Sequence, residues 1–175
     1  MLPDPIHPSI VHFPIVFSVL LPLMALGAFL AARRGTPIRT VWLGVVGGAA
    51  LLAGSSWLAV ETGEQQEERV EDVISEAPLD THQDRATFFL YLAAGTLVLS
   101  GAGLARGKVG RAGRVAGTVA ALALLPAGYL VGHSGGELVY KYGAAQAYTS
   151  GAPASTESRR SGDGDRANGQ DRDDR

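Results

Sequence analysis

Residues 10–32 read IVHFPIVFSVLLPLMALGAFLAA, 23 positions without a formal charge. A hydrocarbon layer about 30 Å thick takes roughly 20 helical residues at about 1.5 Å each, so this block is long enough to span it. Inside lipid a backbone has no water to bond and must satisfy its own N–H and C=O groups, which makes the block a helix. Three more uncharged blocks follow, Val41–Val60, Ala86–Ala105 and Val115–Gly132. One such run fits the buried helix of a large soluble protein. Four in 175 residues leave almost no amphipathic helix to cover them. The sequence therefore predicts an all-α fold, a four-transmembrane-helix up-down-up-down bundle with the lipid bilayer as its first partner. The expected domain is 1–149, with helices at about 10–32, 41–60, 86–105 and 115–132.

Working outward, the charges fall between and after these blocks. The first connection holds Arg33, Arg34 and Arg39, and the third holds Arg106, Lys108, Arg111 and Arg114, neither with an acid. The second, from Glu61 to Arg85, holds nine acids and only Arg69 and Arg85. Basic loops stay in the cytoplasm. The N-terminus, the acidic loop and the C-terminus are then expected outside. Met1–Ser9 has no positive n-region and the first block is too long for a signal-peptide core, so a retained helix is expected. Residues 150–175 are rich in Gly, Ser, Asp and Arg with no large apolar side chain, and the expectation is a disordered tail.

Several finer expectations follow. Trp42 and Trp57, near the two ends of helix 2, suit interfacial belts. Gly44 and Gly48, with Gly47, Ala50 and Gly54, offer small faces for close helix packing. Pro14, Pro22 and Pro126 each free a carbonyl and can kink their helices. Val70, Val73 and Ile74 have helical spacing, so helix 2 runs on or a short helix lies at the interface. Ala77-Pro78 should end it, and Asp80 with Gln83 resembles a capping box that opens helix 3. Gly135, Gly136 and Gly143 read as turn or close-approach glycines.

Composition excludes several chemistries. The chain has no cysteine, hence no disulfide, thiolate metal site or thiol nucleophile. A net charge of −2 gives no general basis for nucleic-acid binding. No nucleophile–base–orienter set, phosphate loop or EF-hand spacing is present, so no independent catalytic activity is expected. What remains is imidazole. The four histidines are His7, His12, His82 and His133, and the topology places all of them at the outer face. Each helix then brings one ligand type to a single layer: His12, Glu61, His82 and His133, with His7 just ahead of helix 1. Imidazole suits haem iron and transition metals, and bundles hold cofactors between facing helices. His12 and His82 are the first-choice ligands, on diagonal helices, with His133 next and His7 and Glu61 supporting. Phe13, Phe17, Phe88 and Phe89 lie near this layer. The bland reading is that histidines at helix ends are cheap, because the interface is wet.

Two stretches carry a resemblance: Ile6-His-Pro-Ser-Ile-Val-His-Phe-Pro-Ile15 and Gly135-Gly-Glu-Leu-Val-Tyr-Lys-Tyr-Gly143. Over roughly residues 5–145 the chain resembles the bacterial multi-pass membrane family catalogued as domain of unknown function 2231. His7, Pro8, His12, Phe13 and Pro14 match its first motif by position. Thr62-Gly63 is similar to the pair that ends helix 2 in relatives, and His82 to a histidine that opens helix 3. Ala144-Ala-Gln-Ala147 departs from the G-V-G-V seen in many relatives, and the resemblance does not extend to Glu61 or His133, whose roles rest on topology alone. The resemblance implies a four-helix membrane domain. It also implies a redox setting, since some relatives are joined to Rieske-type or cytochrome-type domains. The resulting expectation is a bacterial inner (plasma) membrane protein binding haem b or a transition metal and serving electron transfer with a membrane redox partner. The alternative is a non-catalytic partner or scaffold subunit with no cofactor. A metal-ion or proton permease is weaker, because no ionisable group beyond Tyr91 and Tyr129 lies deep in helices 2, 3 and 4.

Overall fold

The structure, a computed structural model, describes residues 6–149. The polar tail expected at 150–175 lies outside them. Among the described residues there is no strand, and the elements are α1 (His7–Ile10), α2 (His12–Arg33), α3 (Ile38–Glu64), α4 (Glu67–Glu71), α5 (Glu76–Ala102), α6 (Gly107–Tyr140) and α7 (Gln146–Thr149). Four rods, His7–Arg33, α3, α5 and α6, are long and apolar enough to cross a membrane.

The first rod has a step in it. Pro14 has no N–H to give to the Ile10 carbonyl, and its ring crowds that oxygen. The chain is still right-handed there, with Val11 at φ −60° and ψ −20°, but α1 ends and α2 begins at that residue. The rods then pack in a ring: α2 on α3, α3 on α5, α5 on α6, and α6 back on α2. Thus α2 and α5 share one diagonal, α3 and α6 the other. The short connections at 34–37 and 103–106 lie at the arginine end. Helix α1, the 65–75 segment and α7 lie at the other, the histidine end.

The rods run past the uncharged blocks read from sequence, except that α5 stops at Ala102, short of Ala105. The 34 residues of α6 rise about 51 Å, well beyond a hydrocarbon core. Charged residues mark where lipid stops, but they do not stop a helix whose backbone bonds are already internal. The N-terminus of α5 differs for the same reason. Ser75, in extended backbone (φ −68°, ψ 151°), takes the N-cap position in place of Asp80 without a side-chain capping bond, and Pro78 sits in the first turn, where a missing N–H costs nothing.

Apolar side chains cover the outside of the bundle as well as its inside. Leu23, Leu26, Leu43, Val98, Val119 and Leu122 face outward, while Leu21, Ala25, Trp42, Ala49, Leu52, Ala93, Ala121 and Leu124 form the core. That is the surface a bilayer requires. Buried hydroxyls bond back to their own helices: Ser18 to the Ile15 carbonyl, Ser56 to Leu52 and Thr96 to Leu92, at 2.7–2.8 Å. Ser100 is the exception, a buried hydroxyl with no partner.

Trp42 is not at an interface. It is fully buried, its Nε1–H donates to the Ser100 carbonyl at 2.9 Å, and its ring tilts on Phe29 with centroids 5.4 Å apart. Gly103 makes room for it, since any Cβ there would strike the indole. Trp57 is exposed, as expected. Gly48 packs α3 on α2, with Met24 Sδ 3.0 Å from where its Cβ would be, but Gly47 and Gly54 face open space. The closest crossing is elsewhere, between α6 and the end of α5. A Cβ on Gly113 would lie 2.5 Å from Gly103 N and 2.6 Å from Ala102 C, and one on Gly117 would lie 2.8 Å from Ser100 Oγ.

A second small core closes the histidine end. Val70 and Ile74, from α4 and the turn after it, pack with Leu79 of α5, Leu138 of α6, Ala144, and half-buried Ala147 and Tyr148. The Tyr148 hydroxyl donates to Gln66 Oε1 at 2.8 Å, and Arg69 lies over its ring. Val73, the third residue of that helical spacing, is exposed. Gly143, at φ +78°, allows the turn that brings α7 back.

Candidate functional site: two histidine seats

Helix phase decides which histidines turn inward. The buried face of α2 carries Pro14, Ser18, Leu21, Ala25 and Ala28. At about 100° per residue, His7 lies two turns before Pro14 on nearly the same face, whereas His12 lies about 200° away from it. His12 is accordingly exposed. His82 stands two turns before buried Phe89 and also points in.

Each inward histidine is seated on the neighbouring helix. Nδ1–H of His7 donates to the Ala59 carbonyl at 2.9 Å, with Thr62 Oγ1 at 3.3 Å. The Thr62 hydroxyl is itself committed as a donor to the Leu58 carbonyl at 2.7 Å, so it turns a lone pair toward the ring. The ring lies on Gly63, where a Cβ would be 3.2 Å from Cε1. His82 repeats this on α6. Its Nδ1 is 3.0 Å from Ser134 Oγ, whose hydrogen goes to the carbonyls of Leu130 (3.1 Å) and Val131 (3.0 Å). Gly135 lies beneath, and a Cβ there would be 3.1 Å from Cε1.

Both imidazoles are half-buried, and His7 is among the charges that act on His82. Among the described residues no hydrogen bond engages either Nε2. Pinning one nitrogen fixes the tautomer and leaves the other as a lone-pair donor, the way a neighbouring acceptor orients a metal-binding histidine.

The remaining sequence candidates lie apart from this pair. His133 is exposed, 3.6 Å from Glu137 Oε2, with its ring 5.9 Å from that of Tyr129. Glu61 is exposed and accepts from Gln65 at 3.2 Å. No three His, Cys, Asp or Glu side chains converge among the described residues, so His7, His12, Glu61, His82 and His133 do not form one metal cluster. The layer of four reduces to a pair because the faces of the helices, and not only their ends, must agree. Of the phenylalanines, Phe89 and Phe17 pack in the core while Phe13 and Phe88 face outward. Sequence reading did not find Ser134. The signal was there: a hydroxyl residue followed by glycine ends both even-numbered spans, Thr62-Gly63 and Ser134-Gly135.

A family model described as predicted membrane protein (DUF2231) matches residues 3–147. The chain belongs to the DUF2231 family. No curated protein and no solved structure matches it. The match takes in both seats of this DUF2231 chain, from His7 to Gly135, together with the second small core except Tyr148, and stops before the polar tail.

Proposed function

We propose that this DUF2231 protein binds haem b through His7 and His82 and serves electron transfer at the outer face of the membrane. The carrying observation is the pair of unengaged Nε2 atoms on two imidazoles whose Nδ1 atoms are held by neighbouring helices. Haem fits better than a bare transition-metal ion. A protein metal site needs three or four ligands, and no third ligand-type side chain joins the pair. Haem iron brings four nitrogens of its own and needs two axial ligands. Basic residues concentrated at the opposite end, Arg33, Arg34, Arg39, Arg106, Lys108, Arg111 and Arg114, support a cytoplasmic position for that end and an outer position for the histidines. His12, His133 and Glu61 are not part of this site.

The test is an absorption spectrum of the full chain in mild detergent, with haemin added, oxidised and reduced. Low-spin bands that His7→Ala and His82→Ala each abolish, and that His12→Ala and His133→Ala leave in place, are expected. A protein with no haem spectrum and no stoichiometric metal overturns the reading. One observation favours a second reading, a scaffold subunit without cofactor: Gly47, Ala50 and Gly54 leave a small-residue face of α3 turned outward, which suits close approach of another membrane helix. Co-purification of a stable partner that carries no haem would favour it.

A further inference from the structure

The two seats share a hydroxyl and a glycine shelf at matching positions. One step of 72 positions carries Thr62 and Gly63, the hydroxyl and shelf of His7, onto Ser134 and Gly135, the hydroxyl and shelf of His82. The same step carries buried Val45, Ala49 and Leu52 of α3 onto buried Gly117, Ala121 and Leu124 of α6, while buried Trp42, Gly48 and Ser56 fall on half-buried Arg114, Ala120 and Gly128. A step of 75 carries His7 onto His82. It also carries every buried position of α2, namely Pro14, Ser18, Leu21, Ala25 and Ala28, onto Phe89, Ala93, Thr96, Ser100 and Gly103, each of them buried. The residue types at these positions mostly differ, so the match lies in geometry more than in side-chain identity. Outward-facing Phe13 and Phe88 keep the same step.

We infer that the chain is a tandem duplication of one helical hairpin, and that His7 and His82 are equivalent ligand positions about a pseudo-two-fold axis running along the bundle, positioned by Thr62-Gly63 and Ser134-Gly135. Helices α2 and α5 run the same way, as do α3 and α6, so the repeats are parallel and their axis lies along the rods. A ligand on that axis meets the same atom, Nε2, from both sides. It is therefore one that takes two like imidazoles, as an iron porphyrin does axially. The inference rests on the haem reading for the ligand alone. The seats themselves stand on the hydrogen bonds.

Two measurements on the full chain in detergent separate the two ideas. With 15N-labelled histidine and no metal added, long-range 1H–15N spectra should give His7 and His82 the same pattern, a protonated Nδ1 and a bare Nε2. Gly63→Ala should then shift mainly the His7 signals and Gly135→Ala mainly those of His82. With haemin added, His7→Ala and His82→Ala should cause the same loss of the low-spin spectrum, within about twofold in residual binding. If both rings carry the proton on Nδ1 but haemin gives no low-spin spectrum, the haem reading falls and the duplicated seat stands. If the two rings carry the proton on different nitrogens, or haem binds and only one of the two variants changes it, the equivalence is overturned.

Discussion

Consider Gly113→Ala, a single added methyl at the crossing of α5 and α6. The new Cβ would sit 2.5 Å from Gly103 N, 2.6 Å from Ala102 C and 3.0 Å from Ala102 Cβ. Ordinary carbon contacts need about 3.5–4.0 Å, so the deficit is about 0.9–1.5 Å against backbone, which cannot swing aside as a side chain can. Overpacking of this kind costs about 1–3 kcal/mol, and a backbone obstacle puts it in the upper part of that range. At about 2–4 °C per kcal/mol for a chain of this size, the expected loss is roughly 4–12 °C. The control is Gly95→Ala, also within a helix but facing open space, where nothing lies within 4 Å of the new methyl. It should gain about 0.5–1 kcal/mol, because alanine is the better helix former. The assay is thermal unfolding of the purified chain in one detergent, read by Trp42 fluorescence in a Trp57→Phe background, which leaves a single tryptophan. Trp42 is buried against Gly103, so it reports separation of the rods even where they remain helical. If Gly113→Ala melts at or above the parent temperature, the two helices do not cross that closely and the account of α6 packing fails.

Three further perturbations test other parts of the structure. Ser100→Ala removes a buried hydroxyl that has no partner and should stabilise by about 1 kcal/mol in the same melt; a clear loss would mean that the hydroxyl is bonded after all. Gly135→Ala presses a methyl on the His82 ring at 3.1 Å, and should weaken haem binding by about 10–100-fold, as loss of ligand orientation does, while the melting temperature stays within a few degrees. An unchanged haem titration would remove Gly135 from the seat. Val70→Asp places a charge in the small core with Ile74, Leu79 and Leu138, and limited proteolysis should then cut the 65–75 segment several-fold faster while the bundle melts as before. Equal cleavage rates would show that this core does not hold the segment.

Long uncharged runs made the fold legible, since lipid leaves a backbone no other choice. The inward face of each rod was harder to read, for a reason specific to membranes. In water the apolar stripe marks the core, whereas here Leu23 faces out and Leu21 faces in with equal hydrophobicity. Trp42 therefore read as an interfacial anchor although it is the largest side chain in the core. The same ambiguity made His12 look as good a ligand as His7. The topology brought the histidines to one end, but only the packed faces distinguish His7 and His82 from His12 and His133. The hydroxyl–glycine pairs were visible as residues, but their meaning needed α3 beside the first rod and α6 beside α5.

The step at Val11 has a mechanical consequence. His82 is built into an unbroken helix, Glu76–Ala102, and acts as a doorpost. His7 stands one turn ahead of Val11, where the missing Pro14 N–H thins the helix's own bonding, and Ala59 and Thr62 of the next helix hold its ring. The two imidazoles share a chemistry, but the helix under His7 lacks one backbone bond that the helix under His82 keeps. Any guest that wedges them apart will swing the His7 leaf first.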